Sequence, residues 1–176
     1  MNTRDILSSL RNHPLTRNVF KGVYSANTLP NIRREKSKEA KAYVFNLDPS
    51  YLPGSHWVAV YSNRKGIEYF DSYGLPPSTD RIRRLLGSRC KYNTKRLQSF
   101  YTTVCGQYCL YFIWKRCHGQ SMETILQSFG ENTTLNDLIV NSTVNNVFET
   151  EERLVDWGLL SRQTAKIFQP WHMEKR

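Results

Sequence analysis

Four residues in this chain have the types and order to do chemistry together: His56, Asp71, Gln98 and Cys105. The run from Cys105 to Cys117 is apolar nearly all round, which predicts a helix buried in the middle of a domain. Cys105 opens that helix, where the unpaired N–H groups and the positive end of the helix dipole lower a thiol's pKa from about 8.5 toward neutrality. Gly106 leaves the backbone beside the sulfur uncovered. A thiolate that attacks a carbonyl also needs a base, a group that orients the base, and donors for the oxyanion. Of the four histidines, His13 precedes Pro14, His118 follows the central helix and His172 lies in the tail, so His56 is the best-placed base. Trp57 beside it would wall a cleft. Gln98, in the segment before Cys105, would fold its amide back over the sulfur, with the backbone N–H groups of Cys105 and Gly106 as further donors. Each residue also has a plain structural reading. Cys105 and Trp57 would be core, His56 a strand residue, Gln98 a solvated polar group, and Asp71-Ser72-Tyr73-Gly74 a type I turn.

These side chains need elements to hold them. Residues 56–61 and 66–71 read as two strands joined by a turn at Asn63-Arg64-Lys65-Gly66, which returns Asp71 to the sheet edge where His56 begins. Residues 19–25 and 41–47 read as further strands, separated by a basic loop at 31–41, and residues 89–98 as one more. A first helix begins at a Thr3 cap, with Ile6, Leu7 and Leu10 on one face, and stops at Pro14. Another covers 78–87, with Ile82, Leu85 and Leu86 inward and Gly87 as its end. Amphipathic helices over 121–129, 134–148 and 150–160 precede a polar tail. Strands followed by helices around one buried helix predict an α+β fold, with a mixed or antiparallel central sheet, in a single domain over 1–176.

The chain has 176 residues, 39 % of them hydrophobic, and a net charge of +10. That excludes disorder, collagen and coiled coil, and no apolar run is long enough to span a bilayer. The start lacks the apolar core of a secretory signal, so the expectation is a soluble, intracellular chain with reduced thiols, its sequons at Asn132 and Asn141 fortuitous. Cys90, Cys105, Cys109 and Cys117 lack zinc-ligand spacing, and no metal is expected. Between Arg81 and Met122 stand Arg81, Arg83, Arg84, Arg89, Lys91, Lys95, Arg96, Lys115 and Arg116 without one acidic residue. Such a stripe suits sequence-independent contacts with DNA phosphates, or is a solvated basic face.

With these residues in view, the chain resembles the adenovirus protease (adenain) family, in the clan that also holds the SUMO-specific proteases. The resemblance rests on His56-Trp57, Phe70-Asp71-Ser72-Tyr73-Gly74, Gln98 and Cys105-Gly106-Gln107-Tyr108-Cys109, in the order His, acid, Gln, Cys, which is opposite to papain's. It covers about residues 3–118 and extends more loosely beyond. Related proteases also occur in Polinton/Maverick-type transposons. The resemblance implies Cys105 as nucleophile, His56 as general base, Asp71 as orienting acid and Gln98 in the oxyanion hole. Adenoviral members carry glutamate at the position of Asp71, whereas the SUMO-protease side uses aspartate. It further implies cleavage of viral precursor proteins after glycine in small-residue motifs, in the host nucleus and virion if the chain is viral. The chemistry would need no cofactor. DNA and a short peptide would serve as activators, the peptide joined by a disulfide for which Cys90 is the candidate. The enzyme would be a monomer without a membrane partner. A deubiquitinase or deSUMOylase is the alternative enzyme, and a basic DNA-binding protein with a structural cysteine the alternative of another class.

Overall fold

Successive residues of the central strands are apolar toward both faces, so the sheet they make must be covered on both sides. The computed structural model describes residues 1–32 and 39–149. Its sheet contains β1 (Phe20–Ser25), β2 (Lys41–Asn46), β3 (Trp57–Asn63), β4 (Gly66–Phe70) and β5 (Lys91–Tyr92), in the spatial order β1-β2-β3-β4-β5. The inner pairs are antiparallel and the two outer pairs parallel, which makes the sheet mixed. On one face Ala42, Val44, Trp57, Ala59, Tyr61 and Phe70 belong to the main core. On the other, Tyr43, Phe45, Val58, Val60 and Tyr69 pack with Ile82 and Leu86.

The helices are α1 (Thr3–Asn12), α2 (Asp80–Leu86), α3 (Cys105–Cys117), α4 (Met122–Gln127) and α5 (Thr133–Val144), the last running into a wider turn at Asn145–Glu149. Helix α3 is the predicted buried helix, with the same ends. Phe112 lies flat on Phe70 of β4, ring centroids 4.4 Å apart and planes 4° from parallel. That stack fixes the rotation of α3 on the sheet and so the direction of its first residue. Helix α2 carries Ile82 and Leu86 inward, with Leu85 half-buried at their side. Among the described residues no helix is long and apolar enough to cross a membrane.

Two local expectations are corrected. The cap of α1 is Asn2 rather than Thr3. The Asn2 side-chain Oδ1 accepts from the N–H groups of Arg4 and Asp5, and the Asp5 carboxylate accepts from the Asn2 N–H, a reciprocal box that a cap at Thr3 would not form. The strand expected over 89–98 is only Lys91–Tyr92. It ends because the Asn93 side chain takes over the backbone of Asp71. Asn93 Oδ1 accepts from Asp71 N–H at 2.9 Å, and Nδ2 donates to the carbonyls of Asp71 at 2.7 Å and Lys95 at 3.2 Å. The helix read over 150–160, the polar tail with His172 and most of the basic loop lie outside the described residues.

Replacing Asn93 by alanine strands the buried N–H of Asp71 and leaves its carbonyl with the Gly74 N–H alone. At about 1–3 kcal/mol for that unsatisfied group, the urea midpoint of Asn93→Ala should fall by the equivalent of about 1 kcal/mol or more. A variant as stable as the parent would show that water replaces the amide at no cost.

Candidate active site

The register Ala59↔Phe70 of the β3–β4 hairpin, continued past the strand ends, sets His56 opposite Tyr73 with Asp71 nearby. His56 and Asp71 each lie one residue outside their strands, where side chains escape the pleat. The His56 carbonyl accepts from Leu47 N–H at 3.0 Å, which ties it to β2. On the acidic side, the Asp71 carbonyl accepts from Gly74 N–H at 2.8 Å, closing the expected turn. Gly74 has φ 72°, and a Cβ there would stand 2.7 Å from the Thr94 carbonyl oxygen, so only glycine closes this turn without strain.

The hairpin thereby brings His56 Nε2 to 2.9 Å from Asp71 Oδ1, with the two side chains 14 % and 1 % exposed. The same Oδ1 accepts the backbone N–H of Tyr73 at 2.8 Å. Because Nε2 faces the carboxylate, Nδ1 is the nitrogen left for Cys105. Burial works against a charged His56, but the hydrogen bonds and charges of Asp71 and Cys105 prevail and hold its pKa near 9, up from 6.5. Burial also opposes a charged Cys105. The hydrogen bond from His56, the N–H of Trp57, the imidazolium charge and the N–H of Gly106 outweigh it, and the thiol's pKa falls below its ordinary value. Both shifts work toward a thiolate–imidazolium pair and against the neutral thiol and imidazole. For His56 the folded chain binds the proton more tightly than the unfolded one. That stabilisation is full below pH 6.5 and is lost as the pH rises through about 9.

The other expected residues are placed as follows. Trp57 is buried in the main core, so its contribution to the site is its N–H rather than an aromatic wall. Gly106 packs against the side chain of Met1, which occupies the space a Cβ would need. Gln98 is wholly buried in the loop before α3, not on a strand. Its Oε1 accepts from the Ser72 hydroxyl at 2.7 Å, and its Nε2 donates to the Thr102 carbonyl at 2.9 Å. The amide is thus fixed between the Asp71 turn and the segment leading into Cys105. Among the described residues no three His, Cys, Asp or Glu side chains gather as a metal site requires.

Several contributors escaped the sequence reading. Tyr73 stacks on the His56 ring at 4.9 Å, Phe100 stacks on Tyr73 at 5.5 Å, and the Arg96 guanidinium lies 4.4 Å from the Phe100 ring centre. Phe100 and Tyr101 supply exposed aromatic surface beside the site, Tyr101 being 98 % exposed. Asn93 and Asp137 are buried polar residues that hold the backbone of the site in place. Tyr73 carried a signal in the hairpin register. Asn93 and Asp137 carried none, since their partners are distant in sequence.

The basic stripe is divided. Arg116 makes a 2.8 Å ion pair with Glu68 and lies over the Tyr61 ring, so it is not available to a phosphate. Lys95 donates to the Phe129 carbonyl at 2.6 Å, and Lys115 lies over Tyr111 and Trp114. Arg81, Arg83, Arg84, Arg89, Lys91 and Arg96 are exposed, though Arg83 pairs with Asp80. Cys90 is a free, half-buried thiol whose pKa burial pushes up to about 11, which makes it a slow partner for disulfide exchange at neutral pH.

No protein-family model matches the sequence, and no curated protein is similar to it. Solved structures do resemble it in shape. The ASFV pS273R protease matches with a TM-score of 0.50 and 20 % identity, over 80 % of this chain and 66 % of that one. ChlaDub1 from Chlamydia trachomatis matches with a TM-score of 0.43 and 15 % identity, over 84 % and 75 %. The SUMO protease Ulp1, with its catalytic cysteine oxidised, matches with a TM-score of 0.35 and 14 % identity, over 66 % and 59 %. The chain spans 66 % of the length of pS273R and shares its α+β fold.

Iodoacetamide labelling tests the ion pair without a substrate. Cys105 should label fastest of the four cysteines and stay reactive well below pH 8.5. Burial raises the pKa of Cys109 and takes those of Cys90 and Cys117 to about 11. His56→Ala should slow Cys105 labelling at pH 7 by about tenfold for each pKa unit regained. Equal labelling of Cys105 and Cys90 would mean that no such pair exists.

Proposed function

We propose that the chain is a cysteine endopeptidase that cleaves precursor proteins after glycine in small-residue motifs. The observation that carries this is the 2.9 Å His56–Asp71 contact beside a thiol whose pKa is lowered at the head of a buried helix. The Cys105 thiolate attacks the carbonyl carbon of the glycine residue, and the displaced electron pair moves onto the carbonyl oxygen. Gln98 and backbone N–H groups of the Cys105 turn receive that oxyanion. The oxyanion collapses, the C–N bond breaks, and the His56 imidazolium gives its proton to the leaving amine, which leaves a thioester. Water then attacks the thioester, His56 takes its proton, and the carboxylic acid departs from a regenerated thiolate. Asp71 orients the ring throughout and neutralises its charge.

Purified protein should cleave peptides that carry glycine at the scissile bond. Cys105→Ala should reduce the rate by at least about 1,000-fold. Hydrolysis needs both the thiolate and the imidazolium, so it should fall on the alkaline side through about pH 9, whereas alkylation should not. Cleavage of ubiquitin or SUMO fusions in strong preference to short peptides would replace the precursor reading with an isopeptidase. No cleavage of either, together with DNA binding unaffected by Cys105→Ala, would favour the non-enzymatic reading.

Stimulation by DNA would act through the exposed cations of α2, β5 and the loop before α3. Arg116 is excluded by its ion pair and Lys95 and Lys115 by their packing, so at most six side chains from the stripe can reach phosphates. At about 0.9 per phosphate, log K against log salt should be no steeper than about −5. A steeper slope would require cations outside this set.

A further inference from the structure

The chemistry above leaves one buried carboxylate without a task. Asp137, on α5, is 5 % exposed. Its Oδ2 accepts from the Ser99 backbone N–H at 3.2 Å and from the Thr102 hydroxyl at 2.7 Å, and the Tyr108 hydroxyl lies 2.9 Å from Oδ1. All three partners belong to the segment that leads into α3 or to its first turns. The Thr102 carbonyl in turn accepts from Gln98 Nε2 at 2.9 Å, and its hydroxyl lies 3.4 Å from that nitrogen. Asn136 adds a second grip, donating from Nδ2 to the Leu97 carbonyl at 3.2 Å and to the Gly130 carbonyl at 3.1 Å. From the opposite side, the Ser72 carbonyl accepts the N–H groups of both Leu97 and Gln98, at 2.8 and 3.0 Å.

Attachment of α5 does not require this network. Val140 and Val144 already place that helix in the main core. A carboxylate withdrawn from water is strongly disfavoured unless donors satisfy it, and apolar packing would join two helices more cheaply. What a carboxylate adds is direction, since its two oxygens fix three donors in one arrangement.

We propose that Asp137 is a positioning residue for the oxyanion side of the site. It sets Thr102, and through Thr102 the amide of Gln98, relative to Cys105. The inference rests on the peptidase reading with Gln98 as oxyanion donor. Asp137 touches neither the thiol nor His56, so it governs stabilisation of the tetrahedral intermediate and leaves the nucleophile's ionisation alone.

Thr102→Val removes the hydroxyl at a half-exposed position and keeps the shape. Asp137→Ala removes the carboxylate, and Asp137→Asn keeps one oxygen for Ser99 and Thr102. Each is measured in the full chain for its thermal midpoint, Cys105 alkylation at pH 7, kcat and KM on a fluorogenic peptide amide ending in two glycines, and affinity for the matching peptide aldehyde. The aldehyde forms a hemithioacetal whose oxygen mimics the oxyanion.

In folded Thr102→Val, alkylation should stay within about twofold of the parent and KM should change little. Both kcat and aldehyde affinity should fall by on the order of tenfold, a fraction of the 100- to 1,000-fold effect of losing an oxyanion donor outright. Asp137→Asn should recover much of what Asp137→Ala loses, and the Thr102→Val/Asp137→Ala double variant should be no worse than the poorer single one. Unchanged kcat and aldehyde affinity in folded Thr102→Val would overturn the proposal while the peptidase reading stands. So would losses matched by equal losses in alkylation, which would mean that the whole site has shifted. A parent chain that labels as a paired thiolate yet neither cleaves the amide nor binds the aldehyde would overturn the peptidase reading, and this proposal with it.

Discussion

A single buried carboxylate sets the terms for the candidate site. Asp71 lies just past the end of β4, almost sealed from water, where an ionised side chain is tolerated only if donors surround it. Two side-chain contacts meet that demand, the Tyr73 N–H and His56 Nε2, both on Oδ1. The Asn93 amide meanwhile satisfies the backbone of the same residue on both sides. The need to compensate this charge accounts for the orientation of the His56 ring and the placing of the Tyr73 N–H, while the backbone groups of the same residue close the Gly74 turn and end β5.

The consequences pass to Cys105 through His56. Burial raises the thiol's pKa, as it does for Cys109 on the next turn of the same helix. The two cysteines differ in their neighbours. Cys105 meets an imidazolium and two backbone N–H groups at the open start of α3, whereas Cys109 meets the core and the negative charges of Cys105 and Asp71. Position along one helix therefore separates a thiol whose ionisation is favoured from one whose ionisation is opposed, and the Phe70–Phe112 stack that holds α3 on the sheet selects which is which.

What the sequence disclosed follows from how local each signal is. The hairpin that joins His56 to Asp71 is a short-range feature, legible from two apolar runs and the turn between them, and α3 is legible from its unbroken apolarity. Both carry their information within one element. The strand expected over 89–98 ends early because the competing interaction, Asn93 with Asp71, spans the Gly74 turn and the helix α2 between them. The cap of α1 was misplaced by one residue, since Thr3 is as good a cap by type and only the reciprocal bond from Asp5 favours Asn2. The basic stripe was read as one surface because charge is visible in sequence and burial is not. Arg116 lies on the face of α3 that turns toward Glu68 and Tyr61.

The division of that charge bears on how a polyanion could influence the chemistry. The exposed cation Arg96 lies over Phe100, whose ring continues through Tyr73 to His56. A phosphate that drew Arg96 away would remove a cation from one end of this stack while an imidazolium sits at the other. Cation–π contacts of this kind contribute about 0.5–1 kcal/mol at exposed sites, at most a few-fold in any equilibrium. A larger effect of DNA on rate would have to come through α2 and β5, the latter paired with β4, which ends one residue before Asp71. The site's geometry therefore bounds electrostatic activation through the aromatic stack at a modest level and assigns anything stronger to a shift in the sheet edge itself.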